Sequence, residues 1–513
     1  MICFRNLTET EAFGKLVSYR ESLGSDKIQL TPEAVRKYTV PAGKELYFSY
    51  AAKGADPLLL DLFRRLADEQ QCVEKYRALL RGEEYNTVEK RMVLHHLCRG
   101  SEGLPVSGKA AEKVKFFEEQ ERRFCEFADS IRREGKIKTV IQIGIGGSGQ
   151  GPKAVFKALK WYALSEGKEP VINAGFMENT DYDEVVSILN ETDIEKTLFI
   201  LVTKSGTTRE TVDNYLLAKE IILSKYPDYD MDAHTVAVTC PGTPLDNGTF
   251  ADIFYMDESI GGRFSVCSAC AGLLTAIAFG SDIYRRFAAG AHYSDILALN
   301  PDVTKNAALL DALWGIYDVN VRKLPVTAVI PYSNFLLEFT YHLQQLLMES
   351  NGKSADKKGT LVDYATCPVV IGSIGTNCQH SFFQQLHQGT GELPVEFIGF
   401  AESQYGAVKQ KKLNSNLAAQ ITALALGREN EDPNRNFPGR KTSSLLFGKR
   451  LTPENLGALF AHFENKTMFQ GFLWNINSFD QEGVQLGKDM ANQVISETAG
   501  NNSILSAYYS FFA

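Results

Sequence analysis

Residues 140–149 read VIQIGIGGSG, four β-favouring residues that break into glycines and then, past Pro152, into a helical period. A strand that ends in glycines and feeds a helix is the corner of a parallel α/β sheet. The glycines let backbone N–H groups approach an anion at the helix N-terminus.

Beyond this turn, short β-rich runs alternate with amphipathic stretches. The pattern predicts strands at Val140–Ile143, Val171–Ala174, Leu198–Val202, Thr235–Thr239 and Ile253–Met256, with helices over Pro152–Leu164, Asp183–Leu189 and Arg209–Tyr226. A second pass from Pro325 predicts strands at Val326–Ile330, Val369–Ile371 and Val395–Phe400, and helices around Phe335–Glu349 and Gln379–His387. At 513 residues the chain exceeds a single core, so two doubly wound parallel-sheet α/β lobes are expected. The expected division is an N-terminal helical segment (1–120), a first lobe (121–290) and a second lobe with a C-terminal helical arm (291–513). In the first part, Asn86 followed by Glu89 resembles a capping box that opens a helix bearing Val93, Leu94 and Leu97.

The 62 acidic and 54 basic side chains give a net charge of −8 without a basic block, so nucleic acid is not an expected partner. The opening residues MICFRNLTETEAFGK carry charge where a leader needs an apolar core, and a cytoplasmic protein is expected. The most apolar stretch, Phe264–Gly280, falls short of the ~18 residues of a membrane span and reads as a buried helix. Nine scattered cysteines suit a reducing compartment. Cys267-x-x-Cys270 lacks a second pair to complete a zinc site, so two packed thiols are expected and no metal.

Taken alone, Gly144-x-Gly146-x-x-Gly149 also satisfies a dinucleotide fingerprint. That reading wants an acidic residue at the end of the second strand, and the predicted strand ends Asn173-Ala-Gly-Phe, which weakens it. A second anion loop follows the third strand: Thr203, Ser205, Thr207 and Thr208 supply hydroxyls and Lys204 an ammonium, more donors than an ordinary N-cap needs. Both loops leave the carboxyl ends of parallel strands, where such sheets bind ligands, and one phosphomonoester between them is the economical reading.

Glu349 closes a predicted helix with Gln345 four residues earlier on its face. Arg263 follows a glycine pair and has the charge to stabilise an enediolate oxygen. His380 stands at another strand-to-helix transition, and Lys488 in a glycine-flanked stretch. Each taken singly is as well explained by a packed or solvated surface position.

Together and in this order, the blocks Gly144–Gly149, Thr203–Thr208, Gly261–Ser265 with Met348–Lys353, and Gly375–His380 with His387–Thr390 resemble the phosphoglucose isomerases over most of the chain. The resemblance implies two sugar isomerase lobes, a homodimer, no cofactor, and interconversion of glucose 6-phosphate and fructose 6-phosphate through a cis-enediol. It implies that Ser148, Thr203, Lys204, Ser205 and Thr208 hold the phosphate with Thr207 nearby, and that Gly147 and Gln345 position the sugar. Glu349 becomes the base, Arg263 the stabiliser of the intermediate, and Lys488 and His380 the ring-opening groups, His380 reaching in from the neighbouring subunit. The chain departs from the family pattern at Cys378, where glycine is usual, and at Val88, where threonine is common. A positive φ at Cys378 would strain the backbone beside His380. Two competitors are a sugar-phosphate sensor without catalysis and a nicotinamide-dependent oxidoreductase.

Overall fold

The computed structural model describes residues 2–23, 28, 30–167, 170–496 and 503–512. Its strands are β1 (Thr39–Pro41), β2 (Leu46–Ser49), β3 (Thr139–Ile143), β4 (Asn173–Met177), β5 (Thr197–Val202), β6 (Thr235–Thr239), β7 (Asp252–Tyr255), β8 (Val326–Pro331), β9 (Val369–Gly372), β10 (Val395–Phe400) and β11 (Ser443–Gly448). The first sheet has the order β4-β3-β5-β6-β7 and is parallel throughout. Its central strand β5 is buried at every residue, as expected of a strand covered by helices on both faces. From β3 the chain steps outward to β4 and then returns to β5 on the other side. The crevice at the carboxyl ends of β3 and β5 is therefore a topological switch point, and both anion loops open into it.

The second sheet has the order β1-β2-β11-β10-β8-β9. Its β8, β9, β10 and β11 are parallel, while β1 and β2 form an antiparallel extension. The N-terminal region thus contributes two strands besides its helices. These strands were not legible: TVP and LYFS are too short to show an alternating period, and β2 is held by pairing with the remote β11. The strand β4 begins two residues later than its sequence suggests and extends to Met177. No helix opens at Asn86. Glu89 N–H does donate to Asn86 Oδ1 at 3.3 Å, but Asn86 and Arg91 close an antiparallel bridge and a 3-10 turn begins only at His95. The Asn86 amide instead donates to the Phe479 carbonyl, so tertiary bonding overrides the local cap.

The apolar stretch beginning at Phe264 forms the Ala269–Phe279 helix, capped by Ser268 and buried along its whole length. Among the described residues no helix is long and apolar enough to cross a membrane. Cys267 and Cys270 are free, buried thiols, each pushed up to about 12 by burial.

The two lobes share one core around the Pro453–Trp474 helix, buried at every position but Glu454. This helix brings charge into the interior. Lys466 bridges Asp311 at 3.1 Å and Glu396 at 2.5 Å. Arg99 donates to both oxygens of Asp295 at 2.6 and 2.7 Å, and to Glu464. With the guanidinium fork committed to Asp295, burial and the nearby Asp295 charge outweigh the help Arg99 gives, and the Glu464 carboxyl is pushed up to about 7. The folded chain thus binds this proton more tightly than the unfolded chain, whose glutamate titrates near 4.5. The associated stability is present below that value and is lost as pH rises through about 7, by at most about 3 kcal/mol. Chemical denaturation at pH 5 and pH 8 should show a fall in unfolding free energy that shrinks in Glu464→Gln.

Candidate active site

A glycine pair sets the centre of the site. A Cβ on Gly147 would lie 2.2 Å from the Gly262 carbonyl carbon and 2.6 Å from Arg263 N. Glycine at 147 therefore lets the loop after β3 lie directly on the 3-10 turn Gly262–Phe264. The Cys270 thiol packs beneath, 3.7 Å from the Gly147 carbonyl oxygen.

Arg263 is 1% exposed, and all its donors are used. Nε donates to Ser350 Oγ at 2.6 Å, and Nη1 donates to Glu349 Oε1 at 2.9 Å and Gln481 Oε1 at 3.2 Å. Nη2 donates to the Ser478 and Asp480 carbonyls, each at 2.8 Å. Burial lowers the guanidinium's proton affinity, and the Glu349 and Asp480 charges oppose that loss. The second oxygen of Glu349 accepts from Gln345 Nε2 at 2.9 Å. Helix Leu337–Gln344 continues into a π turn at Gln345–Glu349, a wide-turn element frequent at functional sites. The same Gln345 Nε2 stands 3.2 Å from where a Cβ on Gly146 would sit, so carboxylate, glutamine, arginine and glycine loop meet.

The loop after β5 is built of hydroxyls. Thr208 occupies the N-cap position of helix Arg209–Lys225, yet its side chain does not cap. Its Oγ1 instead lies 2.8 Å from Thr203 Oγ1. Thr207 donates to Ser205 Oγ from its backbone N–H at 3.2 Å and from its hydroxyl at 3.0 Å. Gly206 turns the chain with φ +68°, where a Cβ would collide with Thr243 at 2.8 Å. Ser205 and Thr207 are exposed, free to meet a ligand. Lys204 is anchored through Nζ to the Glu258 carbonyl at 2.7 Å, and its ammonium is lowered by burial. Ser148 lies on the neighbouring loop, whose carbonyl at 148 accepts from Gln142 Nε2 at 2.7 Å. A helix N-terminus and a set of hydroxyls in one crevice suit a phosphate.

His380 and Lys488 stand apart from this cluster. His380 is exposed at the end of the 3-10 turn Asn377–His380, and Lys488 is exposed on helix Gln485–Ile495. Among the described residues neither side chain makes a hydrogen bond or ion pair. The Lys488 helix is nevertheless tied to the phosphate-loop helix, because Arg209 Nη1 donates to Asn492 Oδ1 at 2.8 Å. Lys488 sits one turn before Asn492 on the same face. Cys378 has no positive φ and is buried beside Tyr332 and Phe383, so the strain expected there is absent.

Sequence reasoning missed Ser350, Gln481 and the Ser478 and Asp480 carbonyls, which surround Arg263 from remote parts of the chain. The acid that the dinucleotide fingerprint wants is also present, contrary to expectation. With β4 ending at Met177, Glu178 follows at its carboxyl end, where a ribose-binding acid would stand. Glu178, however, is ion-paired with Lys153 and pressed against Gly149, where a Cβ would lie 3.1 Å from its own Cβ. A cavity of about 830 Å³ lies at the opposite end of the first sheet, lined by Ile137, Lys138, Pro170 and Ile172, which precede β3 and β4. It takes no part in the site.

Residues 49–510 match the family model described as phosphoglucose isomerase. The chain is 45% identical over 478 residues to the glucose-6-phosphate isomerase of Treponema denticola, covering 90% of each chain. To that of Treponema pallidum it is 43% identical over 535 residues, covering 99% of this chain and 98% of the relative. A crystal structure of a glucose-6-phosphate isomerase from Chlamydia trachomatis matches with a TM-score of 0.91 and 37% identity, over 99% of both chains. The acid and arginine that meet beneath the glycine loop, beside a hydroxyl-lined anion crevice, stand in a chain that belongs to the phosphoglucose isomerase family.

Proposed function

We propose that the chain interconverts glucose 6-phosphate and fructose 6-phosphate by proton transfer through a cis-enediol, with Glu349 as the base. The observation that carries this reading is the Glu349 carboxylate held between Arg263 at 2.9 Å and Gln345 at 2.9 Å. Moving a proton between C2 and C1 requires a carboxylate fixed over the C–H bond and a cation for the oxygen that gains charge. Arg263 supplies that charge from a buried position, where electrostatic stabilisation is strongest. Neither a hydride acceptor nor a metal is needed for a proton to leave one carbon and return to its neighbour.

The phosphate sits far from the reacting carbons. In this reading Ser148, Thr203, Lys204, Ser205 and Thr208 hold it, with Thr207 alongside, while Gly147 and Gln345 place the sugar chain. Hydroxyls already paired with one another, as Thr203 with Thr208, can turn to the ligand with little reordering. The binding energy of the remote anion then orients the carbons over Glu349, so it serves turnover as well as affinity. His380 and Lys488 move the proton at the ring oxygen. We further propose a homodimer in which His380 completes the neighbouring subunit's site. Its exposure and the exposed apolar arm residues Leu486, Ile504, Phe511 and Phe512 support that arrangement.

Glu349→Gln is expected to retain sugar-phosphate binding and to lose at least ~100-fold in exchange of the C2 hydrogen with solvent, followed by NMR in deuterium oxide. Unchanged exchange excludes Glu349 as the base. Thr208→Ala should raise KM about tenfold and lower kcat as well, in a coupled assay of fructose 6-phosphate formation. Co-expression of Glu349→Gln and His380→Ala chains tests the shared site. A hybrid dimer built as proposed contains one intact Glu349–His380 pair and regains activity, whereas sites confined to one chain leave every site defective.

A further inference from the structure

Arg263 is held from two sides by parts of the chain that lie far apart in sequence. Four of its five hydrogen bonds go to residues whose role is clear or whose backbone alone is used: the Glu349 carboxylate, the Gln481 side chain and the Ser478 and Asp480 carbonyls. The last three belong to a single short segment, 478–481, immediately before the exposed arm helix. The fifth bond, from Nε to Ser350 Oγ at 2.6 Å, is made to the residue that follows the base. Ser350 is 0% exposed and directly continues the π turn that ends at Glu349.

Building on the isomerase reading, we infer that Ser350 is a positioning residue, whose hydroxyl holds the Arg263 guanidinium in register with Glu349 while the base carries the substrate's proton. The charge changes of the reaction give the hydroxyl this part. Before proton abstraction, Glu349 is an anion and attracts Nη1 across 2.9 Å. Once the carboxylate has taken the C–H proton it is neutral, and that attraction is lost at the moment the enediolate needs the cation. The Nε–Ser350 bond does not depend on the protonation of Glu349. Among the described residues it is the one remaining bond from Arg263 to the turn that carries the base, and it fixes the plane in which both Nη groups lie. A neutral acceptor suits this place, since a second carboxylate would hold the guanidinium by charge and compete with the intermediate for it.

The test compares Ser350→Ala and Ser350→Cys with the wild-type protein by kcat, KM and melting temperature, and repeats Ser350→Ala in an Arg263→Lys background. Lysine has a single nitrogen, so it lacks the separate Nε that reaches Ser350 while Nη1 faces Glu349. A positioning role predicts a fall in kcat of about tenfold for the alanine variant, the usual scale for a hydrogen bond to a charged group, with KM within about twofold of wild type. The cysteine variant, which keeps the volume and a weak acceptor, should fall between the two. In the lysine background the alanine substitution should lower kcat no further, because residues that act through one another are not additive. Should Ser350→Ala fold too poorly to assay, the cysteine variant alone, in both backgrounds, decides by the same comparison. Unchanged kcat in folded variants, or an equal loss in the Arg263→Lys background, overturns the inference. Absence of fructose 6-phosphate formation by the wild-type protein overturns the isomerase reading instead, and is distinguishable because it needs no variant.

Discussion

A guanidinium withdrawn from water must find an acceptor for each of its N–H groups or it costs several kcal/mol to bury. Arg263 meets that demand with acceptors from two separate regions, 349–350 and 478–481, and those regions and its own are therefore locked together. The glycine pair 261–262 brings the arginine out of the first lobe, the 345–350 turn brings the acid and a hydroxyl from the second, and segment 478–481 closes over both. Lys353 strengthens the same junction by donating to the Asp480 carbonyl at 2.8 Å, the oxygen that Arg263 also uses. The site is thus a consequence of satisfying one buried cation. Its geometry is as rigid as that cation's hydrogen bonding requires.

The packing beneath it follows the same logic. With no side chain at 147, the loop after β3 rests on Gly262 and Arg263, closer than any Cβ would allow. The loop after β5 reaches the same crevice only because Gly206 turns with positive φ over Thr243. Both positions trade conformational entropy of the unfolded chain for close backbone approach. The outcome is that the hydroxyl loop and the Glu349–Arg263 pair, the proposed anion crevice and reacting centre, are held by separate glycine turns of one sheet. Binding energy gained at the first can be directed to the second because the sheet between them is buried and stiff.

The switch point was legible because its signals are local. A glycine-terminated strand and a hydroxyl run after another strand both appear within ten residues of sequence, and β6 and β10 have the predicted bounds. Glu349 and Arg263, which the fold brings together, could be singled out only as a set of types in an order, since each residue alone is an ordinary surface choice. What escaped reading was non-local. The strand β2 exists through pairing with β11, some 400 residues away, and β1 through pairing with β2, and the Asn86 cap signal lost to a bond with Phe479. Ser350 carries no signal at all beyond its position, for a serine at a helix end is common and its partner lies 87 residues earlier.

The contrast between the two kinds of polar group explains the division of labour. Arg263 and Gln345 are fixed within one chain, which suits the proposed role of stabilising charge on a reacting oxygen, since that needs preorganised dipoles that do not move during the reaction. The side chains of His380 and Lys488 lie exposed without a partner among the described residues, which fits the ring-opening role proposed for them, because a proton carrier must exchange its proton with the medium between turnovers. A fully buried histidine would be a poor proton carrier, since His342 and His96, deep in the core, are each pushed down to about 4 by burial and would remain neutral near pH 7. In the proposed reading the fold thus keeps its stabilising charge inside, at the buried Arg263, and its proton carriers exposed.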